Sequence, residues 1–260
     1  MPCRPFYSIR TAPSTWNPKK VWATTKSLGG HFAGDGCHRS ERRRLTVFTM
    51  DEDTASEYKR VFGGTVKREK KGFNWSCNAG NYLKCTRTFS RYAWTKRRQM
   101  EYALECHKKK MFAYEMKDVM VDLKANEDPK IEDGMFWPGQ YKAPDRDSVA
   151  EIVGGFLTAD GSVSVNGKYK TLRVKFTQKK PGMLHAIKAW FPTPSRVIKY
   201  HPRCSGKTHD NSGNIYVAHR LVYCGESAYV LLDSIMPHIV ASRVKTRAWN
   251  ALVSSGWIKE

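Results

Sequence analysis

The sequence predicts an α+β fold in which one αββαββα unit is used twice, and three observations predict it. A glycine-rich segment, Leu28-Gly29-Gly30-His31-Phe32-Ala33-Gly34-Asp35-Gly36, returns 125 residues later as Val153-Gly154-Gly155-Phe156-Leu157-Thr158-Ala159-Asp160-Gly161. The helical and alternating patterns that follow each copy come in the same order. Between the copies lies a short acidic stretch, rich in proline and glycine, unlike either flank.

In the first unit the opening helix starts near Asn17-Pro18, an N-cap residue followed by proline at the first helical position, and runs into the glycine-rich segment. Strands follow near residues 37–40 and 43–49, then a helix over 51–62, strands near 65–71 and 82–89, and helices from 95 to about 123. In the second unit the helix starts near Asp147 or Ser148, and residues 162–165 and 171–177 read as strands paired about the Asn166-Gly167 turn. A helix over 181–191, strands near 196–201 and 215–223, and helical material from 226 to 253 complete it. The predicted organisation is a first module at 1–125, a linker at 126–147 containing Pro129, Gly134, Pro138, Gly139 and Pro144, and a second module at 148–260.

Forty-five Lys+Arg against 24 Asp+Glu give the 260-residue chain a formal charge of +21. The first module carries +14, the linker −3 and the second module +10. Two strongly positive modules imply a polyanionic partner. No apolar run approaches the ~18 residues a membrane span needs, and neither a basic amphipathic helix nor a lipidation signal is present, so nucleic acid is the expected partner and a membrane is not. A hydrophobic content of 40% and an aromatic content of 12% supply a core and exclude wholesale disorder. The N-terminal residues lack the apolar segment of a signal peptide, and Phe6, Tyr7 and Trp16 argue against a transit peptide. Seven cysteines, an odd number without a C-x-x-C, predict no disulfide framework and point to a reducing intracellular compartment, an organelle included. His201, Cys204 and His209 have loosely zinc-like spacing but no obvious fourth ligand, and read instead as a polar hairpin loop.

Each glycine-rich segment ends in Asp-Gly and opens the same order of strands and helices between basic flanks. In this the chain resembles the LAGLIDADG homing endonucleases in their single-chain, two-motif form. The resemblance covers roughly residues 16–255, and Leu172-Arg173-Val174-Lys175-Phe176-Thr177-Gln178-Lys179 is especially like the second strand of that family. It implies two pseudo-symmetric αββαββα modules whose antiparallel sheets form a DNA-binding saddle. It also implies a Mg²⁺-dependent endonuclease, with two or more divalent cations at one shared active site, that cuts both strands across the minor groove and leaves short 3′ overhangs.

The residues give the motif a physical sense of their own. Glycines let helix backbones approach closely, at a propensity cost of roughly 1 kcal/mol each, so Gly29, Gly30, Gly154 and Gly155 predict a tight seam between the modules. That seam brings Asp35 beside Asp160. Two carboxylates at one point in a positive cleft suit divalent cations bridging a phosphodiester; without metal they repel and one titrates high. By resemblance, Asp35 and Asp160 ligate Mg²⁺, helped by the backbone carbonyls of Gly34 and Ala159. The resemblance also places a water-orienting residue at the end of each second strand. This is Gln178 in the second module and, if Leu45 aligns with Leu172, Asp51 in the first; a one-residue shift would put Met50 there. Asp51 is equally suited to capping the next helix. A basic residue near the start of the last helix completes the implied set, Lys245 in the second module and Lys109, within Lys108-Lys109-Lys110, in the first. A run of three lysines suits a solvated phosphate grip equally well.

Residues 171–177 alternate, with Leu172, Val174 and Phe176 directed to a core and Thr171, Arg173, Lys175 and Thr177 to the other face. The second set suits base edges in the major groove, where arginine pairs bidentately with guanine. In the first module Leu45 and Val47 face in, leaving Arg44 and Thr46 outward with Arg42 before them, and the outward Phe48 suggests a bulge. Lys67, Lys84, Arg196, Lys199 and Arg220 are further candidate DNA contacts on the remaining strands. Because the halves differ at most of these positions the target should be asymmetric, and because one chain holds both aspartates a monomer should suffice. Two alternatives share the scaffold: an RNA-binding maturase whose partner is host intron RNA, and a non-catalytic DNA-binding regulator. The presence of both Asp35 and Asp160 favours the nuclease.

Overall fold

Both repeats fold as a four-stranded antiparallel sheet with helices packed on one face. The computed structural model describes residues 10–39, 43–110, 145–178, 181–191, 198–200 and 218–259. After β1 (Arg10–Thr11), the first module runs α1 (Thr25–Asp35), β2 (Gly36–Arg39), β3 (Arg44–Thr49), α2 (Glu52–Phe62), β4 (Thr65–Glu69), β5 (Gly72–Ser76), α3 (Tyr82–Tyr92) and α4 (Arg97–Lys108). The second runs α5 (Arg146–Asp160), β6 (Gly161–Asn166), β7 (Thr171–Gln178), α6 (Gly182–Trp190), β8 (Ile198–Tyr200), β9 (Ala218–Cys224), α7 (Glu226–Ile235) and α8 (Ser242–Ser254), with β10 (Ile258–Lys259) last. The strand orders, β2-β3-β5-β4 and β6-β7-β9-β8, are the same arrangement twice.

Local chemistry explains where these elements begin. Helix α1 starts at Thr25 rather than near Asn17-Pro18, because Thr24 and Ser27 form a reciprocal capping box, whereas Asn17 closes a 3₁₀ turn over Ser14–Trp16. Helix α5 starts at Arg146, capped by Asp145, whose side chain accepts the Ser148 N–H at 2.7 Å. The expected strand over 82–89 is instead helix α3. Its buried residues, Tyr82, Cys85, Thr86, Phe89 and Ser90, recur at helical spacing. The strand belongs to Gly72–Ser76, where Trp75 is fully buried. Lys84 therefore stands exposed on a helix and not on the sheet.

The alternation of the second strands is as expected: Leu45 and Val47, and Leu172, Val174 and Phe176, are fully buried. Phe32 stacks on Phe89 at 4.0 Å and Tyr58 packs on Trp75 at 4.9 Å beneath the first sheet, while Phe156 stacks on Phe176 at 6.0 Å beneath the second. The expected hairpin forms, but its turn is Gly167 to Lys170, closed by Lys170 N–H donating to Gly167 O at 3.1 Å, with Gly167 at φ +71° and Asn166 still in β6, paired with Thr171.

Helices α1 and α5 form the seam, and only two of the four glycines line it. A Cβ on Gly30 would lie 1.9 Å from Ile152 O, and one on Gly155 would lie 1.7 Å from Ser27 O. Backbone meets backbone there, and no side chain fits. Gly29 and Gly154 turn the other way, each into its own module. A Cβ on Gly29 would strike Tyr92 Cβ at 2.3 Å, and one on Gly154 would strike His238 Cβ at 2.8 Å. The expectation that all four face the partner helix is corrected accordingly: adjacent positions on a helix point about 100° apart, so each pair serves two interfaces.

Polar contacts across the modules flank the seam. Thr24 Oγ1 donates to Glu151 Oε2, and Lys26 Nζ reaches Ser148 Oγ at 2.7 Å and Glu151 Oε1 at 3.3 Å. Farther along, Asp53 Oδ2 accepts the Ser242 N–H at 2.7 Å and Thr54 Oγ1 donates to Val240 O at 2.7 Å. The N-terminal residues form a strap over the second module. Strand β1 pairs in parallel with β10, the buried Trp16 meets Tyr229 edge-on at 6.5 Å, and Lys245 Nζ donates to Thr15 O and Lys20 O, both at 2.9 Å.

Candidate active site

Each aspartate is the last residue of its seam helix, and the next residue begins its sheet. The pair therefore stands where the two sheets meet. Gly34 lets the ends close up, since a methyl there would fall 2.3 Å from Asp160 Oδ2 and 2.4 Å from Ala159 Cβ. Although 38% of the Asp35 side chain reaches solvent, the surrounding protein desolvates it and the charge of Asp160 adds to the effect. Its carboxyl is pushed up to about 6, with Lys96 opposing the rise. Burial raises Asp160 as well, opposed by Lys96 and by the hydrogen bond that Gln178 Nε2 donates to Asp160 Oδ2 at 2.5 Å.

Two groups at this site were not expected from the sequence. Lys96 closes a 3₁₀ turn just before α4, and its ammonium donates to the carbonyls of Phe32 and Ala33 at 2.9 Å and of Gly34 at 3.0 Å. It thus neutralises the C-terminal end of α1 and puts a cation beside both carboxylates. The sequence signal is slight: a basic residue at the start of the helical pattern that opens near Thr95. His31, one turn before Asp35, is buried and held neutral, its pKa lowered to about 3 by desolvation and by the charge of Lys96. Tyr58 donates its hydroxyl proton to Leu28 O at 2.8 Å, so His31 Nδ1 donates to the Tyr58 oxygen at 3.2 Å. That tautomer leaves the lone pair of Nε2 facing Asp35 Oδ2 at 3.5 Å.

The other expected site residues fall in different places. Lys109 is exposed at the end of α4, paired with Glu105 at 2.6 Å, and Lys96 takes the position beside the aspartates instead. Lys245 is 1% exposed and spends its ammonium on the strap carbonyls. Asp51 occupies the N-cap position of α2 without capping it, and binds Arg243 of the second module at 3.0 and 3.1 Å. The strand register shows why it is no counterpart of Gln178. Gly36 pairs with Val47, and the equivalent Gly161 pairs with Phe176, so Leu45 matches Val174 and Thr49 matches Gln178.

The outer faces of the two sheets carry the remaining candidates. In the first module Arg39, Arg44, Thr46, Lys67, Glu69 and Asn74 line a concavity of about 320 Å³. Phe48, 42% exposed, shares that face without a bulge, since β3 stays in register with β5 from Thr46 to Thr49, Phe48 opposite Asn74, while its pairing with β2 ends at Val47. In the second module Thr171, Arg173, Lys175 and Thr177 share one face with Arg220, which pairs directly with Thr177. Arg42, Arg196, His201, Cys204 and His209 lie outside the described residues, and of Lys199 only the backbone, in β8, is described.

Among the described residues no three His, Cys, Asp or Glu side chains gather into a metal cluster. The donor set that does fit a hard cation is smaller: Asp35, Asp160, the Gln178 side-chain oxygen and nearby carbonyls. Mg²⁺ takes few protein ligands and completes its shell with phosphate and water, so an acidic pair whose charges repel in its absence is a fitting cradle. The Gly34 carbonyl accepts from Lys96, which leaves it one free lone pair.

No family model and no curated protein matches the sequence. Solved structures do match the fold. The LAGLIDADG homing endonuclease I-GzeII in complex with its DNA target is 14% identical, with 90% of each chain covered and a TM-score of 0.58. The LAGLIDADG meganuclease I-CpaMI bound to uncleaved DNA is 10% identical over 88% of this chain and 90% of its own, with a TM-score of 0.51. Duplicated sheets, a glycine seam and one aspartate at the end of each seam helix agree with that likeness: the chain has the LAGLIDADG homing endonuclease fold, with both motifs in a single chain.

Proposed function

We propose that the protein is a site-specific DNA endonuclease that cuts both strands of a long, asymmetric target as a monomer, with divalent cations held by Asp35 and Asp160. The observation that carries this reading is the meeting of the two aspartates, one from each repeat, at the junction of two sheets with cationic outer faces. The neighbours of known structure named above are homing endonucleases and meganucleases bound to DNA. No observation favours host intron RNA over a DNA duplex.

Arg44 and Lys67 on one sheet and Arg173, Lys175 and Arg220 on the other would engage base edges and phosphates along the major groove. Their sequence differs between the halves, which suits a target without a palindrome. At the junction, Asp35 and Asp160 hold negative charge in place, Lys96 offsets it, and Gln178 fixes the orientation of Asp160. A bound divalent cation would supply polarisation of the scissile phosphate and a water acidic enough to attack it. His31, neutral and sealed behind Asp35, keeps bulk water from that side of the carboxylate.

Incubation with a randomised duplex library and Mg²⁺, followed by sequencing of the ends, tests the reading. Recovery of one long asymmetric site with short 3′ overhangs is expected, and Asp35→Asn or Asp160→Asn should abolish cutting while retaining binding. Undiminished cutting by either variant, or binding with no cutting under any divalent cation, would refute it.

A further inference from the structure

The outer faces of the two sheets correspond position by position, and at one end the correspondence changes character. The register that pairs Gly36 with Val47 and Gly161 with Phe176 sets Arg44 against Arg173, Thr46 against Lys175 and Phe48 against Thr177. The next residue on that side is Met50 in the first module and, by sequence, Lys179 in the second. Phe48 and Met50 stand 42% and 64% open to water, where the second module carries a hydroxyl and an ammonium. They lie at the inner end of the sheet: Gly36, the partner of Val47, directly follows Asp35, whereas Arg39 and Arg44 pair at the outer end.

Cover for the backbone accounts for only part of the Phe48 ring. A Cβ on Gly72, in the neighbouring strand, would lie 3.0 Å from Phe48 Cζ and 3.2 Å from Met50 Cα. Phe48 therefore reaches over the gap that a glycine leaves in β5, which fixes the ring while much of its surface stays open. Its direct partner across the ladder is Asn74, followed by Lys67 on β4. Asn74 Nδ2 in turn donates to Glu69 Oε1 at 2.9 Å. The two apolar side chains thus form an island beside a polar concavity whose cations are Arg39, Arg44 and Lys67. Those cations draw a duplex onto this face, and the apolar group that base edges present in the major groove is the C5-methyl of thymine.

We infer that Phe48, with Met50 beside it, is a specificity-determining contact that selects thymine at one or two base pairs, on the inner side of the half-site under the first module. This rests on the endonuclease reading above, which gives neither residue a role. The ring meets a methyl and not a hydrogen-bonding edge, so what it reads is whether the methyl is there. Uracil, which lacks it, is a poorer base than thymine at that position, and 5-methylcytosine is a better one than cytosine. Lys179 and the small Thr177 offer no comparable apolar surface, so the second half-site carries no matching requirement. Burial of one methyl sets the scale at about fourfold in affinity.

The experiment uses the full chain, with duplex affinity measured in Ca²⁺. Selections from a randomised library with the unaltered protein and with Phe48→Ser should differ at one or two adjacent positions, which are thymine in the first and without preference in the second. Uracil placed at those positions should weaken binding by the unaltered protein about fourfold and leave binding by Phe48→Ser unchanged. Replacing cytosine there by 5-methylcytosine should tighten binding about fourfold, again for the unaltered protein alone. Met50→Gln should show part of the same loss, and melting temperatures confirm that both variants are folded. Should Phe48→Ser unfold for want of its cover over Gly72, a uracil scan through every thymine of the site selected by the unaltered protein decides alone. Indifference to the methyl at every thymine, or a uracil effect that Phe48→Ser retains, would overturn the contact. If the unaltered protein selects no duplex at all, it is the endonuclease reading that fails instead.

Discussion

Gly155→Ala adds one methyl where a Cβ would meet the closest contact of any described glycine. The new Cβ would sit 1.7 Å from Ser27 O, and an ordinary contact begins near 3.4 Å, so one backbone must retreat by about 1.7 Å. Neither can do so alone. Ser27 belongs to the capping box of α1 and its backbone is hydrogen-bonded in that helix, while Gly155 lies between buried neighbours on α5. The helices must therefore part, and Asp35 and Asp160, at their ends, part with them. Over-packing of this kind costs about 1–3 kcal/mol of stability, and an ångström of misplacement at a reacting centre costs on the order of 10²-fold in rate. Urea unfolding and single-turnover cleavage, measured on Gly155→Ala and Gly30→Ala, check both figures. Gly154→Ala is the comparison, because its nearest contact is the His238 side chain at 2.8 Å in its own module; it should lose stability without a matching loss of rate at saturating enzyme. If Gly155→Ala melts and cuts like the unaltered protein, the seam does not set the spacing of the aspartates, and the account of the site fails.

Three further outcomes are expected. In metal-free buffer Asp35 keeps its proton up to about pH 6 when folded, but only to its ordinary 3.8 when unfolded. The folded state therefore binds more protons in that window, and this group's contribution to stability falls as pH rises from about 4 through 6, then levels off. Asp35→Asn should flatten that part of the curve, as read from urea midpoints in EDTA, and an unchanged slope would contradict the repulsion argument. Lys245→Met should cost about 1–3 kcal/mol, because two strap carbonyls lose a charged donor, yet leave the cleavage of both strands intact at low temperature; Lys109→Ala should leave cleavage unchanged. Arg173→Ala should relax preference at one or two base pairs, at about 1–3 kcal/mol of discrimination each, whereas Lys84→Ala, on the helical side, should leave sequence preference untouched in a library selection.

Much of the architecture was legible because it is written twice. A single Asp-Gly after a helix is an ordinary turn, but two copies with matching sequels fixed the seam helices, the paired second strands and the meeting of Asp35 with Asp160. What failed were positions where tertiary partners outrank local pattern. The aromatic and polar run from Tyr82 reads as a strand by composition and is a helix by its burial at 82, 85, 86 and 89. Aligning Leu45 with Leu172 matches Asp51 to Gln178, a two-residue slip invisible without the ladder, since a shift of two preserves which residues face in. Lys245 and Lys109 sit at helix positions where a sequence gives no hint of whether the ammonium turns toward a cleft, a carbonyl or water. A helical pattern that opens at Thr95 hides the 3₁₀ turn that aims Lys96. His31 stood inside the motif itself, but only the hydroxyl of Tyr58, 27 residues away, gives it a defined tautomer.

The strap at residues 10–20 has a consequence for anyone recombining the two repeats. It precedes the first repeat in the chain yet completes the second, filling it with Trp16, pairing with β10 and occupying Lys245. A cut made at the linker would thus separate the second half from a piece of its own interior. A chimera that borrows only residues 145–259 should be insoluble or unstable, whereas one that also transplants residues 10–20 ahead of its new first half should recover. In this molecule the boundary along the chain and the boundary in space are different lines, and exchange of modules has to follow the second.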